Sequence, residues 1–231
     1  MPKHQQDTNS IGGAPFLLSL FCLLLLSVLN CTLLPFLWNE SARDNFLQFV
    51  IGGIFGAFAV GIFIRGHTSV FFHEFKHSLL SGLAGNKAKG MKIQRDSGHF
   101  EYEYTEETAY YNSLIALAPY FFPLCTLISL PIAILSFQNS HLLGVIVVGI
   151  GYGADLMMGL RDISPHQSDI YKIKGGYLVA IAYLTAMHLT ILTFLLSWIF
   201  QGWLGVKFLF YGLFQLVKNL IAYYKTVERP V

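Results

Sequence analysis

Six predominantly apolar stretches, at 15–38, 46–64, 110–137, 141–160, 177–200 and 203–224, constrain this chain before any motif does. Each approaches or exceeds the roughly 20 residues that a helix needs to cross about 30 Å of hydrocarbon. Backbone amides cannot stay unpaired in lipid, so segments of this kind cross as helices. The expected fold is an all-α polytopic membrane protein with about six transmembrane helices. Composition agrees: 54% of the 231 residues are apolar and only 12% are charged, too few charges for a soluble domain of this size. The first stretch runs into Thr32-Leu33-Leu34-Pro35 rather than a small-x-small cleavage site. It therefore reads as a retained helix behind a polar tail at 1–14.

Basic residues sort between the connections. Lys87, Lys89, Lys92 and Arg95 fall in one, Arg161, Lys172 and Lys174 in another, and Lys218, Lys225 and Arg229 near the C-terminal end, while 137–140 and 201–202 hold none. The positive-inside tendency puts the basic connections on the cytoplasmic side. A formal charge of +2 with no basic stripe leaves no nucleic-acid footprint. Cys22, Cys31 and Cys125 all lie in apolar runs, so neither a disulfide framework nor a structural zinc knuckle is expected.

The segment 46–84 would be about 58 Å long as one helix at 1.5 Å per residue, nearly twice the hydrocarbon thickness. It must break, and Arg65-Gly66 is the expected break. Beyond it lies His73-Glu74-Phe75-Lys76-His77. Residues four apart on a helix differ by about 40° and stack one turn above each other, so His73 and His77 share a face. Two imidazoles so placed can ligate one Zn²⁺, and Glu74 lies close enough to take a proton from an attacking water without ligating. Charged groups in so apolar a setting are expensive unless used.

A catalytic zinc usually takes three protein ligands and keeps one position open. Asp155 is the first candidate for the third, near the end of an otherwise apolar helix, with Gly149, Gly151 and Gly153 allowing close approach of a neighbour. Its structural alternative is an ion pair with Arg161 or Lys76. Asp169, in a polar loop, is the second candidate, and Glu106 and Glu107 follow. His188 is a lone histidine in an apolar run that either lines the cavity or is a hydrogen-bonded core residue.

The stretch FFHEFKHSLLSGLAGNKAKGMKIQRDSGHFEYEY, with NSLIALAPYFFP soon after, resembles the site-2 protease family of intramembrane zinc metalloproteases, above all its small bacterial members. His73, Glu74 and His77 match the family's HExxH helix, Gly98 and the alternating 99–105 stretch its hairpin, and Ala118-Pro119 its small-residue-plus-proline helix entry. The likeness covers about 71–169. It departs in two places: the family's N-x-x-P-x-x-P-L-D-G around its aspartate is absent, and Lys76 stands where the family usually has glycine. The resemblance implies an aspartate ligand in this region, and the preference for Asp155 over Asp169 rests on depth in the helix. Lys76 is expected to put a cation near the site.

The strands 91–95 and 99–105 alternate apolar or aromatic with polar residues across Asp96-Ser97-Gly98, a turn signal. An edge strand here, at Gly98, His99 and Phe100, could pair with an unwound substrate; a hairpin that merely caps the bundle is the other reading. Asn112 is a candidate for holding substrate or an oxyanion. The whole chain, 1–231, then reads as one membrane-embedded zinc metalloendopeptidase domain, with a catalytic core at 68–170 and a cytoplasmic-side hairpin loop at 85–108. By resemblance its substrates are membrane-tethered proteins or remnant signal peptides, and its place is the bacterial cytoplasmic membrane. Two other classes remain: a non-catalytic membrane adaptor with a residual metal site, and an ion-conducting protein using His73, Glu74, His77, Asp155 and His188.

Overall fold

The structure is a computed structural model that describes residues 13–137, 141–165 and 167–227. Most of the tail at 1–14 and Arg229 of the C-terminal end lie outside the described residues. The elements are α1 (Ala14–Leu33), α2 (Glu40–Phe63), α3 (His67–Leu83), β1 (Lys87–Ile93), β2 (Gly98–Glu103), α4 (Asn112–Phe121), α5 (Leu124–Phe137), α6 (His141–Asp162), α7 (Ser168–Tyr171) and α8 (Gly176–Val227). Four helices among the described residues, α1, α2, α6 and α8, are long and apolar enough to cross a membrane. A fifth is added if α4 and α5, bent by 64° at their junction, act as one broken span. This is an all-α membrane architecture with a small two-stranded sheet.

The last two expected spans form one element, α8, that folds back on itself at Gly202. There φ is 57° and ψ is −145°, which ends helical geometry and suits glycine. Phe194 and Phe210 stand with ring centroids 5.4 Å apart. On a straight helix sixteen residues would separate them by about 24 Å.

The break expected near Arg65-Gly66 is present: α2 stops at Phe63, Gly66 has φ 56°, and α3 begins at His67. The strands pair antiparallel from Lys87↔Glu103 to Ile93↔Gly98, with a bulge between Ala88 and Gly90. The turn is closed by Gln94 N–H donating to Ser97 O at 2.8 Å. β1 begins four residues before the expected 91, because its first half is solvent-exposed on both faces and shows no alternation of hydrophobicity.

The frame that holds the site is built on glycine. On α2, a Cβ at Gly52 or Gly56 would overlap the carbonyl oxygen of Ile146 or Ile150; on α6, one at Gly149 or Gly153 would overlap that of Phe49 or Gly53. Helices in lipid gain no hydrophobic advantage from pairing, so backbone-to-backbone contact through small residues holds them. Gly151 faces Ser129 and the Cys125 carbonyl of α5, and Gly159 faces the Tyr120 carbonyl of α4. α6 is thus wedged between α2 and the bent pair, as the three glycines before Asp155 lead one to expect.

Candidate metal centre

His73, Glu74 and His77 lie on the inward face of α3. Asp169 reaches them from α7, a single turn anchored by Ile170 and Ile173, both buried in a cluster with Leu117, Tyr120 and Leu184. Its Oδ2 stands 3.5 Å from His73 Nε2 and 3.4 Å from His77 Nε2. Among the described residues, these three form the group that could hold a metal ion, their ligand atoms all within 4.8 Å of one another.

The opposite ring nitrogens are both committed. His73 Nδ1 is 3.1 Å from Asp162 Oδ2, and His77 Nδ1 is 2.6 Å from Ile115 O. A carboxylate and a carbonyl can only accept, so each Nδ1 carries the proton and each Nε2 faces Asp169. Metal-ligating histidines are oriented in this way by outer partners. Asp162 is steadied by Arg161, whose guanidinium also donates to Ile64 O at 2.6 Å and to Ser69 Oγ, tying the site to the α2–α3 break.

The acceptor at Ile115 exists because of proline. In a regular helix the Ile115 carbonyl would take the N–H of residue 119, but that residue is Pro119. The same omission recurs one turn on: residue 123 is also proline, leaving the Pro119 carbonyl without a helical donor. Lys76 Nζ approaches it at 3.5 Å, and His188 Nε2 donates to the next carbonyl, Tyr120 O, at 2.9 Å. His188 is therefore a core histidine serving a broken helix.

Asp155, the ligand preferred from the sequence, is not one of the three grouped residues; it takes its structural alternative, the ion pair with Lys76. Its Oδ1 pairs with Lys76 Nζ at 3.1 Å, and its Oδ2 accepts from Thr126 N–H at 2.8 Å and Thr126 Oγ1 at 2.9 Å. Thr126 sits in the first turn of α5, so Asp155 caps that helix from a neighbouring one. Lys76 is correspondingly taken up by Asp155 and the Pro119 carbonyl.

His73, Glu74, His77 and Asp169 line a cleft of about 810 Å³ together with Gly98, His99, Phe100, Arg95 and Lys172. Asn112 stands outside that lining and accepts from Tyr102 Oη at 3.2 Å, bracing the hairpin. Glu106 and Glu107 are exposed in the connection after β2. Gly98 crosses directly above Glu74, where a Cβ would meet Glu74 Cγ and Oε1 at 2.6 Å.

Burial pushes the Glu74 carboxyl up from its ordinary value, partly offset by His77 and His73. Burial alone would lower His73, but the hydrogen bonds and charges of Asp162 and Asp169 overcome it and raise the group to about 9. Burial opposes ionisation of Asp169 too, yet its bonds to His73 and His77 hold it well below the usual carboxylate range. Raised in this way, an imidazolium at His73 faces a carboxylate from both ring nitrogens, Asp162 at Nδ1 and Asp169 at Nε2. Sequence reasoning missed Asp162, whose only signal is that it ends the helix carrying Asp155 two turns further on.

No family model matches the chain, and no curated protein or solved structure matches it either.

Proposed function

We propose that the chain is an intramembrane zinc peptidase that hydrolyses peptide bonds in or next to transmembrane segments. The observation that carries this reading is the pair of histidines with both Nδ1 atoms committed and both Nε2 atoms facing one carboxylate, beside a buried Glu74. Ligands at about 2.0–2.1 Å from a tetrahedral zinc stand about 3.3 Å apart. The separations of 3.4 and 3.5 Å to Asp169 fit such an ion with little adjustment.

His73, His77 and Asp169 would hold the ion. When bound, zinc supplies Lewis acidity that polarises a carbonyl and acidifies water. Glu74 takes a proton from water as its oxygen bonds to the carbonyl carbon, and returns a proton to the nitrogen as the C–N bond breaks. A carboxyl held above its ordinary pKa serves both transfers. The hairpin, roofing Glu74 at Gly98, offers His99 and Phe100 as neighbours for an unwound substrate. Unwinding is needed because intrahelical hydrogen bonds and side chains shield the carbonyl carbon.

The basic connections support a cleft open to the cytoplasmic side, and the likeness to small site-2 proteases supports a bacterial membrane and membrane-tethered or signal-peptide substrates. Counting α4–α5 as one broken span and α8 as two gives six membrane segments. The ion-path reading loses support, because Asp155 and His188 are bonded to Lys76, Thr126 and Tyr120 outside the cleft.

The test is elemental analysis of the metal-replete, detergent-purified protein, alongside cleavage of a panel of single-span peptides. We expect about one zinc per chain in the wild type and in Glu74→Ala, loss of zinc in Asp169→Ala, and no cleavage by either variant. A wild type without zinc would refute the reading; zinc and no Glu74-dependent cleavage of any peptide would favour a metal-clipped adaptor.

A further inference from the structure

The proposed chemistry makes no use of the buried Lys76–Asp155 ion pair, although Lys76 lies directly between the two histidines in sequence. Both side chains are almost fully enclosed, Lys76 at 2% exposure. Two neighbouring residues of α3 grip two carbonyls of α4 one turn apart: His77 the one freed by Pro119, at 2.6 Å, and Lys76 the one freed by Pro123, at 3.5 Å. Lys76 is in turn fixed by Asp155 of α6, which the first turn of α5 holds through Thr126.

We propose that Lys76, held by Asp155, is a positioning residue for the metal ligand His77. It sets the register of α3 on α4, so that the Ile115 carbonyl stays under His77 Nδ1 and Nε2 stays turned toward Asp169. The inference rests on the metal reading above. It also gives a place to Lys76, which stands where the site-2 protease pattern has glycine: that lysine and the aspartate of the later helix satisfy each other, and the metal carboxylate comes from α7. If the pair only neutralised two charges, an apolar pair of similar volume would replace it without disturbing the centre.

The experiment is a Co²⁺ titration of the full chain in detergent, following the visible absorption of tetrahedral cobalt, with far-ultraviolet circular dichroism on the same samples. Lys76→Met/Asp155→Leu is compared with Lys76→Ala, the latter purified in propylammonium, whose three carbons and ammonium replace the missing atoms, then exchanged into tetramethylammonium, which has no N–H to donate. We expect the folded double variant to bind cobalt about 10- to 100-fold more weakly, the range for loss of an outer partner, with an altered band. Lys76→Ala is expected to bind near wild-type strength in propylammonium and to weaken on exchange. Wild-type affinity and band in the folded double variant would overturn the proposal while leaving the metal reading intact. So would a weakened Lys76→Ala that propylammonium does not restore. A wild type that takes up no cobalt would overturn both.

Discussion

Pro119 and Pro123 act through atoms they lack. Each withholds one N–H and leaves a carbonyl in a place where water is scarce, and a side chain of α3 fills each gap. Pro119→Ala would return a competing donor to Ile115 O. Zinc affinity should fall about tenfold or more with helix content unchanged, read by calorimetric titration. Under the proposed reading, Gly98→Val should displace Glu74, lowering cleavage by more than about tenfold while zinc content stays at the wild-type level. The proton on His73 gives a pH dependence of definite sign. Its folded pKa, about 9, lies above the ordinary 6.5, so the metal-free protein holds this stabilisation in full below about pH 6.5 and loses it as pH rises through 9. Thermal melts of the metal-free form should fall across that window, whereas zinc, which must displace the proton, should bind more tightly across it. The histidine pair was legible in the sequence because helical spacing alone sets it. The choice between Asp155 and Asp169 is not legible there, because depth in an apolar helix marks a carboxylate as needing a partner without saying whether that partner is a metal or a lysine on another helix.

At the scale of elements, α2 and α6 meet backbone against backbone, and this contact holds α6 in reach of the bent pair. Gly153→Val would force them apart and should cost about 2 kcal/mol or more, the order of an overpacked core, seen as a lower unfolding midpoint in detergent. Gly82→Ala on α3, where a Cβ meets nothing within 4 Å, is the control and should leave the midpoint unchanged or slightly raised. The glycines of α6 announced a close neighbour, and Gly66 announced the α2–α3 break, because in both cases the constraint sits in the residue itself. The early start of β1 was less legible, whereas the break at Gly202 falls in the expected connection at 201–202. The strand opens as an exposed ribbon without alternation, and the glycine divides two apolar runs by backbone geometry rather than by charge.

On the scale of the molecule, the three candidate ligands come from two parts of the chain, α3 and α7, separated by the hairpin, the bent pair and α6. An ion bound by both stabilises the whole fold by mass action, about 2.7 kcal/mol at a free concentration one hundred times Kd. Zinc should therefore raise the wild-type unfolding midpoint and leave that of Asp169→Ala unmoved. The same division governs how a copy is made. His73 and His77 leave the ribosome well before Asp169, because α4, α5 and α6 lie between them in the chain. A half-synthesised chain thus has an unfinished set of ligands, and under the proposed reading it is chemically silent toward the nascent membrane proteins around it until its own assembly is complete.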